Sequence, residues 1–275
     1  MLNRGQYNQP KEEVQPGVPA SVLAMPPGLP GNRLGLAQWL TDRRHPLTAR
    51  VAVNRFWQQF FGRGLVLTAE DFGTQGQYPT HPELLDWLAL HFMDTKWDVK
   101  ALCRTLVLSA TYRQSSTPRD LAWLKDDPDN RWLSRMNVLR LEAETLRDSL
   151  LAVSGRLNPK LGGAAIPVTY NEEGGIVIGI DTRDTAGRQT GKFVGLNGEE
   201  YRRSIYIQAR RTMPLEMFAA FDAPAMTEAN CASRPVTTVS PQSLLLMNNS
   251  YMREHSQDFA ARLLRECGTD VDKQV

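Results

Sequence analysis

The chain has 275 residues, a formal net charge of +2 and 41% hydrophobic residues. That balance admits a sizeable buried core and gives no whole-molecule attraction to a polyanion, and no run approaches the ~18 consecutive apolar residues of a membrane-spanning helix. The three cysteines, Cys103, Cys231 and Cys267, are too few and too widely spaced for a disulfide framework or a Cys-x-x-Cys metal pattern.

Residues 1–30 carry Pro10, Pro16, Pro19, Pro26, Pro27 and Pro30. Proline fixes φ and removes a donor, so this stretch reads as an extended strap or linker. Helical punctuation begins at Asn32, which caps a first helix over Arg33 to Asp42 with Leu36, Ala37 and Leu40 inward. A second helix runs from Thr48 to Phe61 and stops at Gly62; Ala49, Ala52, Val53, Phe56, Trp57 and Phe60 recur at helical spacing. A glycine-containing loop, Asp71 to Gly76, follows. Thr80-His81-Pro82-Glu83 has the spacing of a capping box opening a third helix, with Leu85, Leu88, Ala89 and Phe92 inward. Asp98 caps a fourth carrying Leu102, Cys103, Leu106 and Val107. A polar linker around Ser115 to Asp129 precedes another helix, whose inner row is Leu141, Leu146, Leu150 and Val153 and whose stop is Gly155.

Residues 162–210 change character. Ile176-Val177-Ile178-Gly179-Ile180 and Ser204-Ile205-Tyr206-Ile207 are short β-like runs among glycines, the signature of a small hairpin or sheet inserted in a helical body. Helices return near Pro214 to Phe221, at Pro241 after Ser240, and from Ser250 to Cys267. The fold class read from this pattern is mainly α: an irregular multi-helix domain over residues 31–275 with a β-containing insertion at about 162–210, following the strap at 1–30. Met1 is followed by no signal core, and Gly268-Thr269-Asp270 reads as a helix start just before Val275. Both ends therefore read as cuts, with the C-terminal side truncated.

Complete catalytic signatures are absent: there is no His-Glu-x-x-His, no Gly-x-Ser-x-Gly and no Cys-x-x-Cys-His. Gly187-Arg188-Gln189-Thr190-Gly191-Lys192 resembles a phosphate loop, but its glycines are four apart and Phe193 replaces the metal-binding hydroxyl. His81 and Glu83 form a His-x-Glu pair without the Cys-x-x-Cys half of a deaminase-type zinc site, so no metal is expected. Arg50, Asn54, Arg55 and Gln58 make a donor-rich row on the second helix on which a carboxylate, phosphate or sugar hydroxyl would dock. Cys231 with Arg234 nearby is a thiol with a potential activator, yet no histidine is close in sequence to serve as its base. Arg202, Arg203, Arg210 and Arg211 bracket Tyr206; one such patch on a near-neutral chain is read as solvated strand ends, with no nucleic-acid partner.

Several of these stretches together resemble a known family. Asn3-Arg4-Gly5-Gln6-Tyr7, Asn32-Arg33-Leu34-Gly35-Leu36-Ala37-Gln38-Trp39-Leu40, Asn54-Arg55-Phe56-Trp57, His81-Pro82-Glu83-Leu84-Leu85-Asp86-Trp87-Leu88, Ser109-Ala110-Thr111-Tyr112-Arg113, Arg202-Arg203-Ser204-Ile205-Tyr206 and Phe221-Asp222-Ala223-Pro224 with Cys231 are similar to the planctomycete domain of unknown function 1553. The resemblance implies a module on the C-terminal side of a large exported, periplasmic or cell-surface, bacterial protein. Upstream domains of the same polypeptide are its implied partners, among them a cytochrome-c-like segment that would hold the haem, with none in this segment. Carbohydrate is a further implied partner. The reading that follows is a non-catalytic ligand-binding or scaffolding module, linked to redox or polysaccharide processing, with Arg50, Asn54, Arg55 and Gln58 as ligand-binding candidates. The rival reading is a glycosidase-like hydrolase with acid–base or nucleophilic candidates Asp71, His81, Glu83, Asp222 and Cys231.

Overall fold

The structure, a computed structural model, describes residues 2–171, 174–183, 186–187, 194–210, 212–224, 234 and 236–274. The described residues form ten α-helices and two small antiparallel hairpins. The chain divides into two compact units, Met1–Leu139 and Arg140–Val275.

In the first unit, a hairpin of β1 (Leu2–Asn3) and β2 (Gln6–Pro10) is followed by irregular chain and four main helices: α1 (Arg33–Leu40), α2 (Thr48–Phe61), α3 (Pro82–Asp94) and α4 (Val99–Leu108). Asn32 and Asp98 cap α1 and α4 as their sequence predicts, accepting from Gly35 N at 3.2 Å and Ala101 N at 3.0 Å. Gly62 ends α2 at φ 76°, a conformation only glycine adopts without strain. The core interleaves Val53, Trp57 and Phe61 of α2, Leu88 and Phe92 of α3, and Leu102 and Leu106 of α4.

Two sequence expectations change here. The inward face of α1 is Gly35 and Trp39 rather than Leu36 and Leu40, which are exposed. The strap decides this: the Pro30 carbonyl lies 1.9 Å from where a Gly35 Cβ would stand, and the Trp39 indole donates to Leu23 O at 2.8 Å. Thr80 does not cap α3. His81 holds the N-cap position without a side-chain cap bond, and the Thr80 hydroxyl donates to Leu65 O at 3.4 Å instead of accepting from the first turn. A short helix α5 (Trp123–Asp126) lies in the polar linker.

The second unit contains α6 (Ala143–Ser154), a hairpin of β3 (Val168–Tyr170) and β4 (Ile176–Ile178) with Val168 opposite Ile178, then α7 (Glu216–Ala220), α8 (Ser240–Asn248), α9 (Ser250–Cys267) and α10 (Val271–Gln274). Ser204–Tyr206 is a turn of 3-10 helix, not a strand; only Ile207 makes a bridge, to Ile166. The inner row of α6 is Ala143, Arg147, Leu151 and Ser154, while the expected Leu141 and Val153 are exposed. An arginine occupies the center of a buried helix face. α6 packs on α9, whose Arg262 donates to the terminal carbonyls of Ala152 and Val153 at 3.1 and 2.9 Å. No helix of the described residues is long and apolar enough to cross a membrane.

Candidate functional site

The residues that sequence chemistry singled out sit in several separate environments. In the first unit, Asn54 is fully buried, its amide donating to Val66 O and accepting from Val66 N, both at 2.9 Å. Arg50 pairs with Asp86 at 2.6 Å and holds Pro46 O. The Arg50 guanidinium in turn holds the Asp86 carboxyl below the usual carboxylate range. Arg55 borders an open groove of about 640 Å3 beside α2, together with Val51, Phe56 and His45. Asp71 closes its own loop, its carboxylate accepting from Gly73 N at 2.7 Å. His81 contacts the Thr80 hydroxyl at 3.0 Å and the edge of Trp132, and Glu83 is exposed on the first turn of α3. Gln58 is half-buried on α2.

In the second unit, Asp222 sits at φ 56° inside a polar cluster. Its carboxylate accepts from Thr237 N at 2.8 Å and from Arg140 at 2.7 Å, while Arg234 donates to its carbonyl and pairs with Glu144. The Thr237 N–H and hydroxyl, helped by Arg140 and Arg234, lower its pKa. Cys231, Arg211 and the phosphate-loop-like stretch from Arg188 to Phe193 lie outside the described residues. Arg202 is completely buried. It donates to Ala164 O at 3.1 Å and to Gly162 O, pairs with Glu199 at 2.8 Å and stacks over Tyr206 at 4.0 Å. A buried staple of this kind contributes nothing to a basic surface stripe, while Arg203 reaches Asp148 and Arg210 reaches Gln208.

A cleft of the second unit gathers residues that periodicity did not flag. The cleft, of about 980 Å3, lies between β4, α7, α8 and the first turns of α9, with Arg147 and Glu200 at its inner side. Its apolar walls include Ile176, Ile178, Phe218, Leu244 and Leu245. At the base, Arg147 is 2% exposed. Its Nη1 donates to Arg202 O at 2.9 Å and to the Ser204 hydroxyl at 3.3 Å, and its Nη2 donates to Glu200 O. Arg147 also lies over the Tyr251 ring at 5.8 Å, and Tyr251 meets His255 edge-on with ring centroids 4.2 Å apart. The nearest carboxylate to the Arg147 guanidinium is that of Asp148 at 3.8 Å, which is committed to Ser204 N and Oγ at 2.7 Å each.

Burial governs the electrostatics of this base. It pushes the Tyr251 phenol up to about 12, lowers the pKa of His255 so that the neutral imidazole is favoured, and lowers that of Arg147. Among the described residues, Arg147 Nε, Tyr251 Oη, both His255 ring nitrogens and Glu200 Oε2 are buried with no hydrogen-bond partner, although His255 Nδ1 stands 3.5 Å from Asp258. The sequence signal for this cluster was Arg147 at the i+4 position between Ala143 and Leu151; leucine periodicity on the neighbouring face masked it. No group of three or more His, Cys, Asp or Glu able to hold a metal occurs among the described residues.

A family model, PSD1, described as Protein of unknown function (DUF1553), matches residues 32–275 of this chain. No curated protein and no solved structure matches it.

Proposed function

This chain belongs to the DUF1553 family, and from that premise we propose that it is a ligand-binding module whose site is the cleft of the second unit. One observation carries the reading. Arg147, Glu200, Tyr251 and His255 border the same cleft, and each keeps a buried polar atom without a protein partner. Each such atom costs about 1–3 kcal/mol, and folded proteins pair the great majority of them. A concentration of unmet hydrogen-bonding capacity beside an apolar-walled cavity is the arrangement of a binding site. The module binds without transforming its ligand and works as part of a larger exported polypeptide; the setting rests on the family resemblance.

Ligand-observed NMR of the whole chain against a library of fragment-sized compounds tests the cleft. Leu244 is 57% exposed on its wall, so Leu244→Trp fills the cleft while leaving the core untouched. Hits that vanish in this variant support the reading, and hits that all persist overturn it.

A further inference from the structure

The chemistry at the base of the cleft narrows the ligand class, and the inference rests on the cleft being the site. An arginine carries five N–H donors. Three are used by Arg147, on Arg202 O, Ser204 Oγ and Glu200 O. Nε–H and one N–H of Nη2 remain, and Nε itself is buried without a partner. The Nε–Nη2 edge of a guanidinium is the planar fork that matches the two oxygens of a carboxylate. The acceptors already in place are two neutral carbonyls and a hydroxyl, and the closest carboxylate, Asp148, stands 3.8 Å away with its oxygens engaged elsewhere. Arg147 is thus a buried cation compensated mainly by dipoles. Beside it, the Tyr251 hydroxyl is a further donor without a partner, while the single N–H of a neutral His255 faces the Asp258 carboxylate, 3.5 Å from Nδ1. Glu216 and Glu254, also on the lining, are exposed and screened by solvent. Glu200 is the opposing charge, a half-buried acid whose Oε2 is itself buried.

We infer that the cleft binds a small carboxylate with an apolar body, its head on Arg147 and Tyr251 and its body against Phe218, Leu244 and Leu245. The Tyr251 hydroxyl is buried at the cleft, so occupancy includes a rotamer change of Tyr251 while Arg147 keeps its three bonds.

Titration calorimetry of the whole chain with hexanoate, 1-hexanol and hexylammonium tests the class. Hexanoate is expected to bind at least about tenfold tighter than the other two. Tyr251→Phe, which keeps the ring and its packing, is expected to weaken hexanoate about fivefold and leave hexanol unchanged, and Glu200→Gln to tighten hexanoate. If all three probes bind alike and all are lost in Leu244→Trp, the cleft is the site but the carboxylate assignment fails. If no probe is sensitive to Leu244→Trp, the cleft reading falls with it. Arg147→Met, with its fold checked by circular dichroism, must abolish the preference for hexanoate over hexanol; a retained preference overturns the role of the guanidinium.

Discussion

Asn54 and Val66 are bound to each other as a β-ladder binds two residues, with the side-chain amide of one taking both the N–H and the C=O of the other at 2.9 Å. Twelve positions apart in sequence, the pair ties α2 to the chain after Gly62, inside the core. Gly64 permits the approach, since a Cβ there would stand 2.5 Å from Val66 O and 2.7 Å from the Asn54 amide nitrogen.

Removing that amide leaves two backbone groups buried and unpaired. Asn54→Ala is therefore expected to cost about 3 kcal/mol, read from the urea midpoint. Asn54→Asp is expected to be at least as severe, because the carboxylate cannot donate to Val66 O and is buried with a charge. A change under about 1 kcal/mol for Asn54→Ala would refute the clamp.

Two helix-terminating glycines have the same φ of 76° but different neighbours. At Gly62 a Cβ would meet Leu139 Cδ2 at 2.3 Å, whereas at Gly155 the nearest atom is Arg262 Cδ at 3.4 Å. Gly155→Ala is expected to cost about 1 kcal/mol from backbone strain alone, and Gly62→Ala about 2 kcal/mol or more from strain plus displacement of Leu139. Equal melting shifts for the two variants would show that the Leu139 contact carries no weight.

Burial lowers the pKa of His255, so the unfolded chain takes up that proton first as pH falls. The contribution is fully present above the unfolded value of about 6.5 and is lost progressively as pH drops below it toward the folded value. His45 is shifted in the same direction, again by burial. Denaturant unfolding between pH 7.5 and pH 5 is expected to show stability falling on the acid side, with a shallower fall in His255→Phe. Identical slopes for the two proteins would contradict a neutral His255 in the fold.

His45 also has a defined tautomer. Its Nδ1 accepts from Leu47 N at 3.2 Å and Thr48 N at 3.1 Å at the start of α2, which places the ring proton on Nε2. Nitrogen-15 NMR of the imidazole is expected to show a protonated Nε2 and an unprotonated Nδ1 at pH 7; the opposite assignment would mean that the ring does not cap the helix.

Arg202 holds together segments that have little regular structure of their own. Arg202→Met leaves Gly162 O and Ala164 O without their donor, and is expected to cost about 3 kcal/mol. Arg202→Lys is expected to recover less than half, since one ammonium cannot reproduce the fork that spans Gly162, Ala164 and Glu199 while lying flat over Tyr206.

Local chemistry made much of the helical frame readable from sequence. Asn32, Asp98, Gly62 and Gly155 act on backbone groups within a few residues, so their positions bound α1, α4, α2 and α6 without knowledge of the rest of the chain. The inward row of α3 was likewise legible, because Leu85, Leu88, Ala89 and Phe92 recur at the i, i+3, i+4, i+7 spacing of one helix face. The faces of α1 and α6 were not. On α1 the close approach of Pro30 selects Gly35, and on α6 the carbonyls of Glu200 and Arg202 make an arginine the residue that fits inside. The roles of Asn54, Asp222 and Arg202 are set by partners 12 to 82 positions away, Val66, Arg140 and Gly162 among them. Periodicity reports which side chains prefer to leave water, and caps report where a helix starts and stops. Which polar groups are buried together, and which remain without a partner beside a cleft, depends on distances between distant segments, and only the tertiary structure supplies those.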